Sequence, residues 1–353
     1  MTRSTKTLTH AQGLVEARLL APDRRDELAR VVKRYAVSLT PEVTDLIDPA
    51  DPADPIARQF VPDPRELESA ANEVADPIGD DAHSPVEGIV HRYPDRVLLK
   101  LVHVCPVYCR FCFRREMVGP GKRARLSRAV LDAALDYVRT HPEIWEVILT
   151  GGDPLILSSR RLREVMGALR PTEHVKVVRV HSRIPALDPK RITADLVGAL
   201  TSSGKTTYVV LHANHPREMT ARARAACARI IDAGIPMLSQ TVLLRGVNDD
   251  AATLAALMRA FVECRIKPYY LHHGDLAPGT AHLRTTIKEG QTLMRALHGR
   301  NSGLCQPTYV LDIPGGHGKS PIGPNYLHRE GGPETAIEIE DYRGCRHSYP
   351  PAD

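Results

Sequence analysis

The chain has 353 residues, 42% hydrophobic and 25% charged, with a formal net charge of +5. That is enough apolar side chain for one large packed unit, and nothing in it favours disorder. The excess charge is diffuse and forms no basic block of the kind that grips nucleic acid, so no nucleic-acid partner is expected. No run of 18 apolar residues occurs, and the opening Met1-Thr2-Arg3-Ser4-Thr5-Lys6 lacks the apolar core of a signal peptide. Neither a membrane span nor export is expected, and the cytoplasm is the expected compartment.

Residues 1–87 carry helical patterns at Asp26–Tyr35 and Thr40–Ile47, the second opening on an N-cap threonine followed by proline. Between Asp48 and Pro64 the chain is crowded with Asp-Pro pairs and reads as a connector wrapping something larger. From Gly88 the pattern becomes an alternation of strands and helices. Strands are predicted at 97–102, 145–150, 175–181, 207–211, 236–243 and 267–271, with amphipathic helices at 127–140, 159–169, 193–202, 217–233, 250–263 and 286–298. Six βα units in series predict an α/β fold, a parallel sheet that curls into a partial (β/α)6 barrel with right-handed crossovers. The expected organisation is a mainly helical N-terminal segment (1–87), the barrel (88–326) and a C-terminal tail (327–353).

Polar motifs fall just after successive strands, where parallel α/β folds build their sites. Cys105-x3-Cys109-x2-Cys112 leaves the first strand. Three thiols at this spacing could be an incomplete zinc site, an iron–sulfur cluster with one open iron, or unligated cysteines. A structural zinc site needs four ligands and no second cysteine pair follows nearby, so zinc fits poorly. The other four cysteines, Cys227, Cys264, Cys305 and Cys345, are scattered singly. Further along come Gly151-Gly152-Asp153, His181-Ser182-Arg183-Ile184-Pro185, His212-Ala213-Asn214-His215 and Ser239-Gln240. The Gly151-Gly152 pair is expected to let backbone approach a ligand closely.

A last motif, Asp312-Ile313-Pro314-Gly315-Gly316-His317-Gly318-Lys319-Ser320-Pro321, invites a P-loop reading. That reading fails, because Ile313 stands where the first glycine belongs and Pro321 blocks the helix. A lysine on a glycine loop suits Schiff-base chemistry instead.

The C-x3-C-x2-C motif with Tyr108 before its second cysteine resembles the signature of the radical S-adenosylmethionine (SAM) enzymes, whose fold is a partial barrel. Together with His91-Arg92-Tyr93-Pro94-Asp95-Arg96, Tyr269-Tyr270-Leu271-x3-Asp275 and the Lys319 loop, it resembles the lysine 2,3-aminomutase family over residues 88–326. The resemblance implies a [4Fe–4S] cluster on Cys105, Cys109 and Cys112, and SAM held by Gly151, Gly152, Asp153, His181, His212, Gln240 and Tyr269. It further implies pyridoxal 5′-phosphate on Lys319, with Arg92, Arg96 and Tyr93 around the cofactor. Arg114 would take the substrate carboxylate, and Asp275 and Asp312 the ammonium tail of L-lysine. The implied reaction is an isomerisation that moves the α-amino group to the β-carbon, started by an external reductant of flavodoxin or ferredoxin type.

The chain departs from the family in its C-terminal region, which carries only Cys345, and in Asp249-Asp250, where a zinc-binding cysteine of a partner would be expected. No zinc is therefore expected, and a homodimer is the candidate assembly. Alternatives are an aminomutase of another amino acid, the β-lysine-forming enzyme of elongation factor P modification, or a cluster-binding scaffold.

Overall fold

A computed structural model describes residues 6–119, 124–329 and 337–349. The N-terminal segment contributes α1 (Ala11–Glu16), α2 (Arg25–Arg34), α3 (Pro41–Leu46) and the single turn α4 (Ala57–Phe60) within the Asp/Pro-rich connector. The barrel follows as β1 (Ile89–Tyr93), β2 (Arg96–Val102), α5 (Arg128–Thr140), β3 (Glu146–Gly151), α6 (Ser159–Leu169), β4 (Val177–Ser182), α7 (Ile184–Leu187), α8 (Ala194–Leu200), β5 (Thr206–His212), α9 (Ala221–Asp232), β6 (Met237–Val242), α10 (Ala251–Glu263), β7 (Ile266–His272), α11 (Ile287–Leu297), β8 (Thr308–Asp312) and β9 (Lys319–Pro321).

All nine strands lie in one sheet in sequence order. β2 through β8 are parallel, and β1 and β9 close the two edges antiparallel. The two edge strands do not pair with each other, so the curl is a partial barrel. β3 and β4 are buried along nearly their whole length, which is why they read as continuous apolar runs rather than alternating ones. The long outer helices α5, α6, α8, α9, α10 and α11 open on Ser127, Ser158, Thr193, Thr220, Asp250 and Thr286. Each cap accepts a hydrogen bond from the backbone N–H three residues on, a local contact that fixes where each crossover begins.

One apolar core joins Leu14, Leu28 and Phe60 of the N-terminal segment to Leu99, Leu149 and Phe261 of the barrel. The segment is therefore packed as part of the same body. Gln59 accepts from Arg110 N–H at 2.8 Å, so the connector sits directly on the cysteine loop. In the C-terminal tail, β10 (Leu327–Arg329), β11 (Ile337–Glu340) and β12 (Arg346–Tyr349) form a small antiparallel sheet. Arg295 of α11 ties it down through Glu340 and through Asn325 O. Among the described residues, no helix is long and apolar enough to cross a membrane.

Candidate active site

The three motif cysteines sit on the loop leaving β2, all unbonded to one another. Burial pushes their thiols up, Cys112 to about 11 with the neighbouring Cys109 adding to the effect, and Cys105 and Cys109 in the same direction. As thiolates they would need compensating positive charge. Among the described residues, no three His, Cys, Asp or Glu side chains converge where one ion could sit. Three desolvated thiols on one loop suit a cluster whose cysteines each hold a different iron.

The Gly151-Gly152 pair has a packing reason besides the one its sequence suggests. A Cβ on Gly151, at φ +114°, would lie 2.3 Å from Val102 O, and one on Gly152 would lie 2.2 Å from Val104 O. Backbone bonds link Gly152 N to Val102 O at 2.6 Å and Asp153 N to Val104 O at 3.2 Å. These glycines thus permit a close approach to the strand end and the cysteine loop. The Asp153 carboxylate is likewise occupied, accepting from Leu155 N, Ser182 Oγ and Arg183 N.

A buried ion network holds the loop from the other side. Glu66, fully buried, bridges Arg110 and Arg115, the two arginines that interleave with the cysteines and Arg114. Glu66 was not legible as functional in the sequence. The available signal was that arginines inside a buried loop require a carboxylate.

On the opposite edge, Asp312 of β8 and Lys319 of β9 are register partners. The turn between them carries Gly315, Gly316 and Gly318 at φ near +85° to +87°, a conformation that side chains resist. Lys319 N–H donates to Tyr93 Oη at 2.7 Å, so Tyr93 anchors the lysine through its backbone. The Lys319 ammonium pairs with Asp312 Oδ1, and His272 Nδ1 lies 3.4 Å from Asp312 Oδ2. Burial would raise the Asp312 carboxyl, but the His272 contact and the Lys319 charge hold it well below the usual range. Asp275 is the reverse case: burial first, and then the negative Asp312, push it up to about 7. Its Oδ1 is sealed from solvent without a partner.

The remaining expected residues divide. Arg114 donates from Nε and Nη2 to Asp80 Oδ2 at 3.0 and 2.8 Å, and Arg92 donates to Asp80 Oδ1 at 3.0 Å and Ile78 O at 2.7 Å. The wholly buried Asp80, absent from the sequence reading, therefore brings these two arginines together. Arg96 pairs with Asp95 and lies 3.9 Å over the Tyr93 ring. His181 and His212 have ring centroids 5.4 Å apart. Burial, followed by neighbouring positive groups, pulls both down, His212 to about 3, so both are neutral imidazoles. Gln240 acts on His212 as a polar neighbour, and the Tyr269 and Tyr270 rings lie tilted with centroids 3.8 Å apart. The Nε2 atoms of His181, His212 and His272 are buried without partners. Such orphaned polar atoms beside the lysine hairpin fit a polar ligand.

Residues 99–258 match the family model of the radical SAM superfamily, and residues 294–353 match that of lysine-2,3-aminomutase. L-lysine 2,3-aminomutase of Clostridium subterminale is 41% identical over 94% of this chain and 78% of its own length. The chain belongs to the lysine 2,3-aminomutase family. It is a radical SAM aminomutase, an isomerase of a superfamily that uses a [4Fe–4S] cluster and SAM. L-lysine 2,3-aminomutase of Acetoanaerobium sticklandii is 38% identical over 95% of this chain and 80% of its own length. Glutamate 2,3-aminomutase of Clostridioides difficile is 33% identical over 92% and 76% respectively. The likeness thus runs beyond residues 88–326 and takes in the N-terminal segment.

Proposed function

We propose that this aminomutase acts on L-lysine, with pyridoxal 5′-phosphate at Lys319, to give β-lysine. The observation that carries the substrate reading is that Asp312, paired with Lys319, lies within electrostatic reach of the buried Asp275, whose Oδ1 has no partner. Two carboxylates in one desolvated place call for a cation, and the Lys319 ammonium stands there as an alkylammonium would. A glutamate tail would meet like charge at this point.

When bound, the cluster with SAM supplies the radical that removes and returns a hydrogen atom, and pyridoxal phosphate supplies a π system that spreads the unpaired electron during nitrogen migration. The chain's own residues position and exclude. Cys105, Cys109 and Cys112 would hold the cluster. His181, His212, Gln240 and Tyr269, with the backbone of Gly151, Gly152 and Asp153, would line the SAM side. Arg92, Arg96 and Tyr93 would serve the cofactor, and Arg114 the substrate carboxylate. Arg92 and Arg114 pair with the single Asp80 carboxylate and Lys100 acts on it too, so positive charge is left for an anion, and bidentate guanidinium geometry suits either a phosphate or a carboxylate. When the Lys319 ammonium leaves Asp312, the substrate's ammonium takes its place between Asp312 and Asp275. An external one-electron donor of flavodoxin or ferredoxin type would start the cycle.

The test is borohydride reduction of the anaerobically reconstituted protein with pyridoxal phosphate, followed by peptide mass analysis. The expected result is a pyridoxyl adduct on Lys319 that is absent from Lys319→Ala. Cluster formation and SAM cleavage with no adduct would remove the cofactor roles of Lys319, Arg92 and Arg96.

A further inference from the structure

One motif cysteine has a charged side-chain partner. Arg183, the residue after β4, donates from Nη1 to Cys109 Sγ at 2.9 Å. Its other terminal nitrogen donates to Glu218 Oε2 at 2.6 Å and Gln59 Oε1 at 3.1 Å. The guanidinium packs between Phe60 and Phe111, with its carbon 5.0 and 5.3 Å from the ring centroids. Its backbone N–H is fixed by Asp153 at 2.8 Å.

Glu218 is fully buried and is itself over-determined. Oε1 accepts from Asn214 N at 2.8 Å, His215 N at 2.9 Å and Gln59 Nε2 at 3.2 Å. The guanidinium therefore has one rotamer available, held by α4, the β4 loop and the β5 loop together. Among the hydrogen bonds of the described residues, Cys109 is the motif cysteine that receives a charged side-chain donor. The buried charge is otherwise expensive to keep.

We propose that Arg183 is a positioning residue of the cluster: it fixes the Cys109 thiolate and favours the reduced cluster, while Glu218 sets how much of its charge reaches the sulfur. Reduction adds one electron from the external donor to the cluster and hence one negative charge to the cluster and its three thiolates. A cationic donor on a ligand sulfur stabilises that state more than the oxidised one and raises the potential. Conversely, removing the buried Glu218 charge while keeping Arg183 raises it further.

The experiment is an anaerobic redox titration of the reconstituted full chain, followed by electron paramagnetic resonance, without pyridoxal phosphate or lysine. It is thus independent of the reading of Lys319 and of the substrate. Arg183→Gln is expected to lower the ratio of reduced to oxidised cluster at least tenfold at a fixed poise, which is 59 mV for a one-electron couple. Arg183→Lys is expected to recover part of that loss, and Glu218→Gln to shift the ratio the opposite way. An Arg183→Gln protein with full iron content that titrates with the wild type overturns the proposal. If that variant fails to hold the cluster, Glu218→Gln decides: a higher potential supports the proposal and an unchanged one overturns it. Failure of all three variants to hold iron assigns Arg183 to packing alone and also overturns it.

Discussion

Replacing Asp275 by asparagine should stabilise the protein and disable it at once. The carboxyl moves from an ordinary 3.8 in the unfolded chain to about 7 in the fold. Below pH 4 both states bind the proton and nothing is lost. As pH rises from 4 to 7 the unfolded chain ionises and the folded one does not, so stability falls, and above 7 the loss is complete. At about 1.4 kcal/mol per tenfold, the full loss is roughly 4 kcal/mol. Asparagine does not ionise, so Asp275→Asn should recover it. With an unfolding entropy near 2.1 cal/mol/K per residue, a chain of 353 residues gains about 5 °C in Tm at pH 8 and about 2 °C at pH 5. The assay is a thermal melt of the protein without lysine or pyridoxal phosphate at the two pH values. Lysine turnover should fall at least 100-fold in the same variant, because a neutral amide no longer pairs with an ammonium. A gain independent of pH, or a lower Tm at pH 8, would refute the burial argument.

Three further substitutions test other contacts. Asp312→Asn leaves one carboxylate to receive the substrate tail and should lower kcat/KM for lysine by about 10²-fold or more, with iron content unchanged; a loss under fivefold would count against the tail assignment. Gly152→Ala places a Cβ 2.2 Å from Val104 O and should halve, or worse, the iron retained after reconstitution, measured by metal analysis. Tyr93→Phe removes the acceptor of the Lys319 N–H, a cost of about 1–3 kcal/mol, and should weaken pyridoxal phosphate binding about tenfold in an absorbance titration.

The elements that the sequence made legible are those specified locally. β3 and β4 are buried on both faces and so read as short apolar runs, and six outer helices announce themselves through a cap residue and a 3.6-residue period. The cysteine loop and the Lys319 hairpin were legible for the same reason, because their chemistry lies within one short stretch. What escaped depends on partners distant in sequence. Glu66 and Asp80 lie between the Asp/Pro-rich connector and the first barrel strand, where no motif marks them, yet they meet arginines 44 and 34 residues away. The Gly151-Gly152 pair was noticed, but its close fit against the carbonyls of the neighbouring strand and loop was not foreseen. β10 to β12 are three or four residues long, too short to leave a period.

The most direct measurement is to incubate the reconstituted enzyme anaerobically with SAM, pyridoxal phosphate, a low-potential reductant and L-lysine carrying 15N at the α-nitrogen, and to locate the label by NMR. The expected result is 15N on the β-carbon of β-lysine, formed only when all components are present. SAM cleavage with the label remaining on the α-carbon, or migration in glutamate but not in lysine, would contradict it.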